Sequence, residues 1–248
     1  MKDTLSAKKI AVLSGHEEAQ ITVFDTLPST NTHLLALGRA GAPEGRVILA
    51  ETQTAGRGRM GRSFFSPAGS GIYLSLLLRP RVFDAGRLTT LAAVVTANAI
   101  SRVCGIEVGI KWVNDLLFNK KKLCGILAEG SVGEFAVIGI GLNVKRSAFP
   151  PELSDVATSL EDILGQAPDR NLLVAEILRG FAEADLEGTA HMDEYRRRSL
   201  TLGKTVTVLS TGDVVRVLAI EDDGALLVED ANQKKRRICS GEVSVRNV

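Results

Sequence analysis

The 248-residue chain has few cysteines, no excess of charge and no long apolar run, and each shortage excludes a class of protein. Cys104, Cys124 and Cys239 lie far apart without metal-ligand spacing, which argues against a disulfide framework or a zinc module. The 30 Lys+Arg residues balance 29 Asp+Glu residues, so no net field favours nucleic acid or an anionic membrane. Neither a membrane-spanning apolar run nor a signal-peptide core is present. We therefore expect a soluble cytoplasmic protein with reduced thiols.

Hydrophobic residues make up 45% of the chain, which is enough to fill a core, and their spacing changes along the sequence. From Thr201 onwards, short alternating runs are separated by Gly and Asp turns, which predicts a small all-β barrel. Before it, strand-like runs occur with stretches of helical periodicity. We predict an α+β fold with two domains, residues 1–200 and 201–248. The predicted strands of the larger domain cover residues 21–24, 45–50, 71–78 and four runs between 107 and 144, and its helices cover 88–103, 172–186 and 191–200.

The strongest local signal is the glycine-rich segment at residues 56–61, Gly-Arg-Gly-Arg-Met-Gly. It fits the dinucleotide fingerprint and resembles a P-loop, but both motifs require a helix directly after the loop. A proline and a predicted strand follow here instead, and Arg62 replaces the P-loop lysine. A solvated surface turn is the other interpretation. Because Arg57, Arg59 and Arg62 alternate with glycines whose N–H groups can approach an anion, we favour a loop that binds phosphate.

A second cluster combines Lys-Trp-Val-Asn-Asp at residues 111–115 with Lys122. Taken alone, each part has an ordinary structural interpretation. The Lys-Trp pair is typical of a surface lysine beside a core tryptophan, and Asn-Asp is typical of a β-turn. Residues 119–122 are typical of a solvated hairpin turn. Gly125 and the segment 139–143 lie in predicted strands, where glycine often marks the close approach of a ligand. The order of these motifs along the chain carries more weight than any one of them.

Five motifs in this order resemble those of the biotin protein ligases. They are Ser29-Thr30-Asn31, Gln-Thr-x-Gly-Arg-Gly-Arg-x-Gly at 53–61, Lys-Trp-x-Asn-Asp at 111–115, Lys-Leu-x-Gly-Ile-Leu at 122–127 and Gly-x-Gly-x-Asn at 139–143. The resemblance spans residues 21–248 and implies a mixed-sheet catalytic domain of the biotin/lipoate ligase type with a small C-terminal SH3-like barrel. It implies an enzyme that activates biotin with ATP to biotinyl-5′-AMP and transfers it to a lysine of a biotin carrier domain, such as that of acetyl-CoA carboxylase.

The resemblance also implies roles for individual residues. The catalytic candidates are Lys122 and Arg59, joined by Asp115 as a base or lysine-orienting group because it is the one carboxylate within the motifs. The residues expected to contact biotin are Ser29, Thr30, Asn31, Gln53, Gly56, Arg57, Gly58, Arg59, Lys122 and Gly125. Those expected to contact the nucleotide are Arg57, Arg59, Phe64, Lys111, Asn114 and Asn143.

The implied reaction requires cations where two anions meet. The biotin carboxylate attacks the α-phosphate of ATP, and Arg57, Arg59, Lys122 and a Mg²⁺ held largely by phosphate oxygens would supply the positive charge. No protein metal site is predicted. Val113 stands where the family has proline, and Phe64 stands where many members have tryptophan, which retains an aromatic wall for adenine.

Two alternatives stay open. A lipoate or octanoate ligase shares the catalytic architecture, although the Gly-Arg loop and the Lys-Trp cluster favour biotin. A bifunctional biotin-responsive repressor would carry a DNA-binding module before Ser29, where only 28 residues stand, so we expect no DNA binding unless a longer chain has been trimmed. The expected partners are biotin, ATP and the carrier domain, with no membrane, and a homodimer is left open.

Overall fold

The computed structural model describes residues 4–131, 133–146 and 149–245, and it has an α+β fold built on two sheets. The larger sheet has seven strands in the order β1-β2-β3-β7-β6-β5-β4. Its first pair is parallel and the other pairs are antiparallel, so the sheet is mixed, as predicted. The strands are β1 Ile21–Leu27, β2 Val47–Gln53, β3 Gly71–Leu78, β4 Gly109–Lys111, β5 Asp115–Phe118, β6 Lys121–Ser131 and β7 Phe135–Asn143.

The helices that pack against the larger sheet begin at residues whose side chains cap them. The Ser29 hydroxyl accepts a hydrogen bond from the Thr32 N–H at the start of α2, and Asp84 accepts one from the Arg87 N–H at the start of α3. Gly105 ends α3 in the left-handed region at φ 68°. The helices are α1 Ala7–Ser14, α2 Thr30–Arg39, α3 Ala85–Cys104, α4 Pro151–Ser154, α5 Leu160–Leu164, α6 Arg170–Ala182 and α7 His191–Arg198.

The two faces of the larger sheet are covered differently. On one face α3 and α6 pack over the main core, to which alternate strand residues such as Val47 and Leu49 contribute. On the other face α2 packs over a smaller cluster that includes Ile48 and Leu77. Because successive side chains of a strand point to opposite faces, residues 73, 75 and 77 of β3 share the α2 face. Along that face the large apolar side chains give way to Ser75, and this change leaves room for a cavity.

The predicted hairpin between β5 and β6 is confirmed, but its bounds are wrong. Residues 119–122 were predicted to form the hairpin turn, but the turn is confined to Asn119 and Lys120, which adopt φ 48° and 68°. Lys121 and Lys122 are the first residues of β6. Sequence periodicity also missed α1, α4 and α5, and the last two, with 4 and 5 residues, are too short for a periodic pattern.

The C-terminal part is a five-stranded antiparallel sheet in the order β11-β10-β9-β8-β12. Its closure into an SH3-like barrel and the domain boundary after residue 200 stay predictions. The Trp112 indole N–H ties this sheet to the larger one by donating to the Gly224 carbonyl at 2.7 Å. The strands are β8 Thr205–Val208, β9 Val214–Ile220, β10 Leu226–Glu229, β11 Lys235–Ile238 and β12 Val243–Val245. Within the described chain, none of the helices combines the length and apolar character needed to cross a bilayer.

Candidate active site

Gly125, Gly139 and Gly141 place no side chains on part of the sheet face that packs against α2. Gly125 of β6 pairs with Gly141 of β7, and Leu127 pairs with Gly139. A Cβ added at Gly139 would lie 2.2 Å from Asn31 Oδ1, and one added at Gly141 would lie 2.5 Å from the Phe64 ring. The sequence predicted that glycines here admit a ligand. In the structure, the side chains of Asn31 and Phe64 occupy the space beside Gly139 and Gly141 and pack directly on the sheet backbone.

The floor of the cavity is a network of neutral hydrogen bonds at the start of α2. The Thr30 N–H and hydroxyl lie 2.9 and 3.1 Å from Gln53 Oε1. The buried Ser75 hydroxyl lies 2.8 Å from Thr30 Oγ1 and 2.6 Å from Asn31 Oδ1. The amide of Gln53 in turn donates to Ser66 Oγ at 2.9 Å. These polar groups are therefore oriented by one another before any ligand arrives.

The glycine-rich loop folds back over this floor. Its base is closed by two backbone hydrogen bonds, from Gly58 N to Arg62 O at 2.7 Å and from Phe64 N to Gly56 O at 2.8 Å. A Cβ at Gly56 would lie 2.4 Å from the Phe64 carbonyl oxygen, so only glycine fits at that close approach. The segment continues to β3 rather than into an α-helix, which agrees with the rejection of both nucleotide-loop motifs.

Each loop arginine contacts a different part of the molecule. Both Arg57 Nη atoms lie against the Glu129 carboxylate, at 2.7 and 3.0 Å. Arg59 Nη1 donates to Asn114 Oδ1 at 3.0 Å. Arg62 pairs with Glu242 of the C-terminal part, across 180 residues of sequence. The loop is therefore held over the cavity from three sides.

Lys122 enters the cavity because of an irregularity in β6. The register of β5 and β6 shifts between Leu116 and Leu117, so one extra residue separates Lys122 from Gly125 and brings both to the same face. A Cβ at Gly125 would lie 3.1 Å from Lys122 Cε, which shows how closely the side chain follows the sheet. Lys122 Nζ lies 2.8 Å from Asp115 Oδ1.

The backbone of Lys122 is fixed on its other side as well. Its N–H donates to the Val156 carbonyl at 2.7 Å, and its carbonyl accepts from the Thr158 N–H at 2.9 Å. Asn143 Nδ2 donates to the Thr158 carbonyl at 3.0 Å and so supports the same segment. The backbone from which the Lys122 side chain extends is thereby fixed in the cavity wall.

An aromatic wall closes the remaining side. Phe64 packs edge-on against Tyr73, with ring centroids 6.5 Å apart. Burial raises the pKa of Tyr73 to about 12, so its phenol stays protonated and donates to the Pro67 carbonyl at 2.9 Å. The Phe64 ring is consequently fixed between the loop and the part of the sheet at Gly125 and Gly141.

Most of the sequence-predicted site residues come together in this one cavity. Those that line it are Ser29, Thr30, Asn31, Gln53, Arg57, Gly58, Arg59, Phe64, Asn114, Asp115, Lys122 and Gly125. Gly56, Lys111 and Asn143 lie outside the lining: Gly56 shapes the loop, Lys111 ends β4 opposite Asp115, and Asn143 supports the segment beside Lys122. The ligand contacts of all these residues stay predictions.

Sequence reasoning missed several lining or supporting residues. Ser75 had a signal, since it is the one small polar residue in the largely apolar run Ile-Tyr-Leu-Ser-Leu-Leu-Leu. Glu129 also had one, because it follows Gly125 and Leu127 at the two-residue spacing of a strand face. Ser63 and Glu242 had none, because their positions depend on how the loop and the C-terminal sheet meet the cavity.

The structure also argues against several kinds of catalytic group in the cavity. Cys124 adjoins the cavity residue Gly125, but its complete burial raises the pKa of the thiol far above the usual range, so it is no nucleophile. His191 is engaged with Thr90 Oγ1 at 3.0 Å, away from the cavity. Over residues 4–131, 133–146 and 149–245, no group of three or more His, Cys, Asp or Glu side chains could hold a metal ion. The cavity therefore offers amides, hydroxyls and cations, together with the carboxylates of Asp115 and Glu242, which are paired with Lys122 and Arg62.

The chain is similar to known proteins over nearly its whole length. Residues 23–143 match the Biotin/lipoate A/B protein ligase family, and residues 201–246 match the Biotin protein ligase C terminal domain. It is 36% identical to the bifunctional ligase/repressor BirA of Bacillus subtilis, covering 96% of this chain and 76% of the relative. It is 35% identical to the biotin–[acetyl-CoA-carboxylase] ligase of Mycobacterium tuberculosis, covering 97% and 94%.

Solved structures agree with this assignment. A biotin protein ligase from Aquifex aeolicus, in complex with biotin and ATP, superposes with a TM-score of 0.76 at 29% identity, covering 92% of this chain and 99% of the other. The mixed sheet, the C-terminal antiparallel sheet and the sequence matches all lead to the same enzyme class. The lipoate alternative is not favoured, because the C-terminal match and these relatives are of the biotin type. The chain belongs to the biotin protein ligase family.

Proposed function

We propose that this chain activates biotin with ATP to form biotinyl-5′-AMP, and that it then transfers the biotinyl group to a lysine of a biotin carrier domain. One observation carries the proposal: a single cavity joins a neutral hydrogen-bonding floor to a cationic end at Arg59 and Lys122. Biotin has matching ends, a ureido ring that both donates and accepts hydrogen bonds and a carboxylate that is an anion.

The floor is suited to the ureido ring. Thr30 and Asn31 present a hydroxyl and an amide, and Gln53 and Ser75 already hold both of them in place. Side chains that are fixed in this way lose little rotamer freedom when a ring binds. The floor would therefore recognise biotin by shape and by directed hydrogen bonds rather than by charge.

The cationic end is suited to the first reaction step. A biotin carboxylate oxygen attacks the α-phosphorus of ATP, the bond from that phosphorus to the leaving oxygen breaks, and pyrophosphate departs with the electron pair. Lys122 and Arg59 would stabilise the negative charge that accumulates in the transition state. Asp115 lies 2.8 Å from the Lys122 ammonium, which supports an orienting role for this carboxylate. Phe64 lines the cavity and would provide an aromatic surface for adenine.

Magnesium would enter with the nucleotide. The cavity carboxylate Asp115 is paired with Lys122, and the nearby Glu129 is paired with Arg57. Their oxygens fit a Mg²⁺ that keeps phosphate and water as its main ligands, with one carboxylate at most. When bound, the ion neutralises part of the triphosphate charge. In the second step, a deprotonated acceptor lysine attacks the carbonyl carbon of the adenylate, and AMP leaves.

The proposal is tested by the products of the complete reaction. The protein is incubated with biotin, Mg-ATP and a biotin carrier domain, and the mixture is followed by mass spectrometry and nucleotide chromatography. We expect one biotinyl group on one carrier lysine, with AMP and pyrophosphate formed in equal amounts. Formation of ADP, or an unmodified carrier while ATP is consumed, would contradict the proposed chemistry.

A further inference from the structure

We propose that Glu129 is a positioning residue that clamps the glycine-rich loop through Arg57 and ties it to the cavity floor through Asn31. The inference deepens the proposed function, on which its catalytic consequence rests. Glu129 lies on β6 two residues beyond Leu127, so it shares the cavity face of that strand with Gly125. No sequence motif of the site includes it.

The contact between Glu129 and Arg57 is bidentate. Arg57 Nη2 lies 2.7 Å from Oε1, and Nη1 lies 3.0 Å from Oε2. The parallel fork geometry fixes the direction of the guanidinium as well as its distance. With both Nη atoms engaged, Arg57 acts on the reaction by holding the loop in place, and not as a free cation aimed at phosphate. This reassigns a residue that the sequence placed on biotin and on the nucleotide.

The same carboxylate also reaches the floor. Asn31 Nδ2 donates to Glu129 Oε2 at 3.1 Å, and Asn31 Oδ1 contacts the Ser75 hydroxyl at 2.6 Å. The remaining links are Ser75 to Thr30, Thr30 to Gln53, Gln53 to Ser66, and Ser66 to the Phe64 carbonyl. Glu129 therefore closes a ring of hydrogen bonds that runs from Arg57 through the floor to the other end of the loop at Phe64.

The other two loop arginines have partners of a different kind. Arg59 bonds the neutral amide of Asn114, and Arg62 pairs with Glu242 of the C-terminal sheet. In the part of the chain that the structure describes, neither of these partners is bonded to Thr30, Asn31 or Gln53. Among the partners of the three loop arginines, Glu129 is thus the one through which occupancy of the floor can bias the position of the loop, because a ligand that reorients Asn31 changes what Glu129 holds.

The loop clamp is measured in the substrate-free protein by hydrogen–deuterium exchange of the loop amides, residues 54–66. Glu129→Gln keeps the shape and removes the charge, and Arg57→Met removes the fork. We expect each variant to raise loop exchange on the order of tenfold after correction for intrinsic rates, and the double variant to raise it no further. Asp213→Asn, which breaks the exposed Arg236–Asp213 pair of the C-terminal sheet, is the control and should leave the loop unchanged.

The consequence for the reaction is measured as escape of biotinyl-adenylate from enzyme preloaded with biotin and Mg-ATP. Glu129→Gln and Arg57→Met should each speed the release of biotinyl-adenylate on the order of tenfold. The double variant should release it no faster than either single variant. The melting temperature should not change in any of the three. The inference would be overturned if Glu129→Gln showed the same loop exchange as wild type, or if the effects of the two substitutions multiplied in the double variant. It would also be overturned if loop exchange became faster while the escape of biotinyl-adenylate stayed unchanged. If wild type forms no biotinyl-adenylate, the proposed function fails, while the exchange result still decides the clamp.

Discussion

Lys122→Ala is expected to lose adenylate formation by about two to three orders of magnitude while folding normally. The ammonium lies in the cavity wall and contacts Asp115 at 2.8 Å, and backbone bonds fix the strand from which it extends. A fixed cation of this kind meets the charge that develops between carboxylate and α-phosphate. Losing one such contact typically costs about 2.7–4 kcal/mol of transition-state stabilisation. The rate is measured as pyrophosphate release at saturating biotin and Mg-ATP.

The neighbouring lysine provides a matched control. Lys121 stands one position earlier in β6, but its ammonium points away from the cavity to the Ser154 carbonyl at 3.2 Å. Lys121→Ala removes the same side chain and should retain nearly the wild-type rate. If both variants kept that rate, Lys122 would have no catalytic role, and the alternative interpretation as a solvated lysine of the hairpin turn would be correct.

Gly139→Ala is expected to weaken biotin binding on the order of tenfold to a hundredfold. The added methyl would lie 2.2 Å from Asn31 Oδ1, which has no free space because Ser75 and Glu129 hold its amide group. Overpacking of this kind commonly costs about 1–3 kcal/mol, and here the strain is relieved by displacing a floor residue. Biotin affinity is measured by titration calorimetry, with the melting temperature recorded alongside it.

A double variant identifies the origin of this loss. If the methyl acts by moving Asn31, Gly139→Ala should add little in an Asn31→Ala background, because the clash has been removed. Independent, multiplying effects would show that Gly139 contacts the ligand directly, which is the interpretation that the sequence first suggested for the strand glycines.

Sequence patterns predicted the parts of the fold that depend on local chemistry. β3 runs over residues 71–78 as expected, because its continuous apolar run is bounded by Gly71 and Pro80. The start of α2 likewise depends on local chemistry, because Ser29 is a cap-type residue whose side chain accepts a hydrogen bond from the Thr32 N–H. Alternation is clear in β8 of the C-terminal sheet, where Val206 and Val208 are buried and their neighbours are exposed or half-buried.

The rest depended on contacts between distant residues. The place of Lys122 is decided by a register shift against β5, which no pattern within 119–122 encodes, so the run looked like a turn. Glu129 has the spacing of the cavity face, but its contact depends on Arg57, which the fold brings to it across 72 residues. Glu242 reaches the loop from the other sheet. The motifs thus identified the chemistry, and the tertiary structure identified the residues that hold it in place.

The central claim is that the floor and the cationic end of this cavity together select and activate biotin. Pyrophosphate release from Mg-ATP, compared between biotin and lipoate as the acid, tests it most directly. Lipoate has a carboxylate for Lys122 but no ureido ring for Thr30 and Asn31, so the cationic end alone would treat the two acids alike. We predict rapid release with biotin and much slower release with lipoate. Equal rates with the two acids would contradict the account.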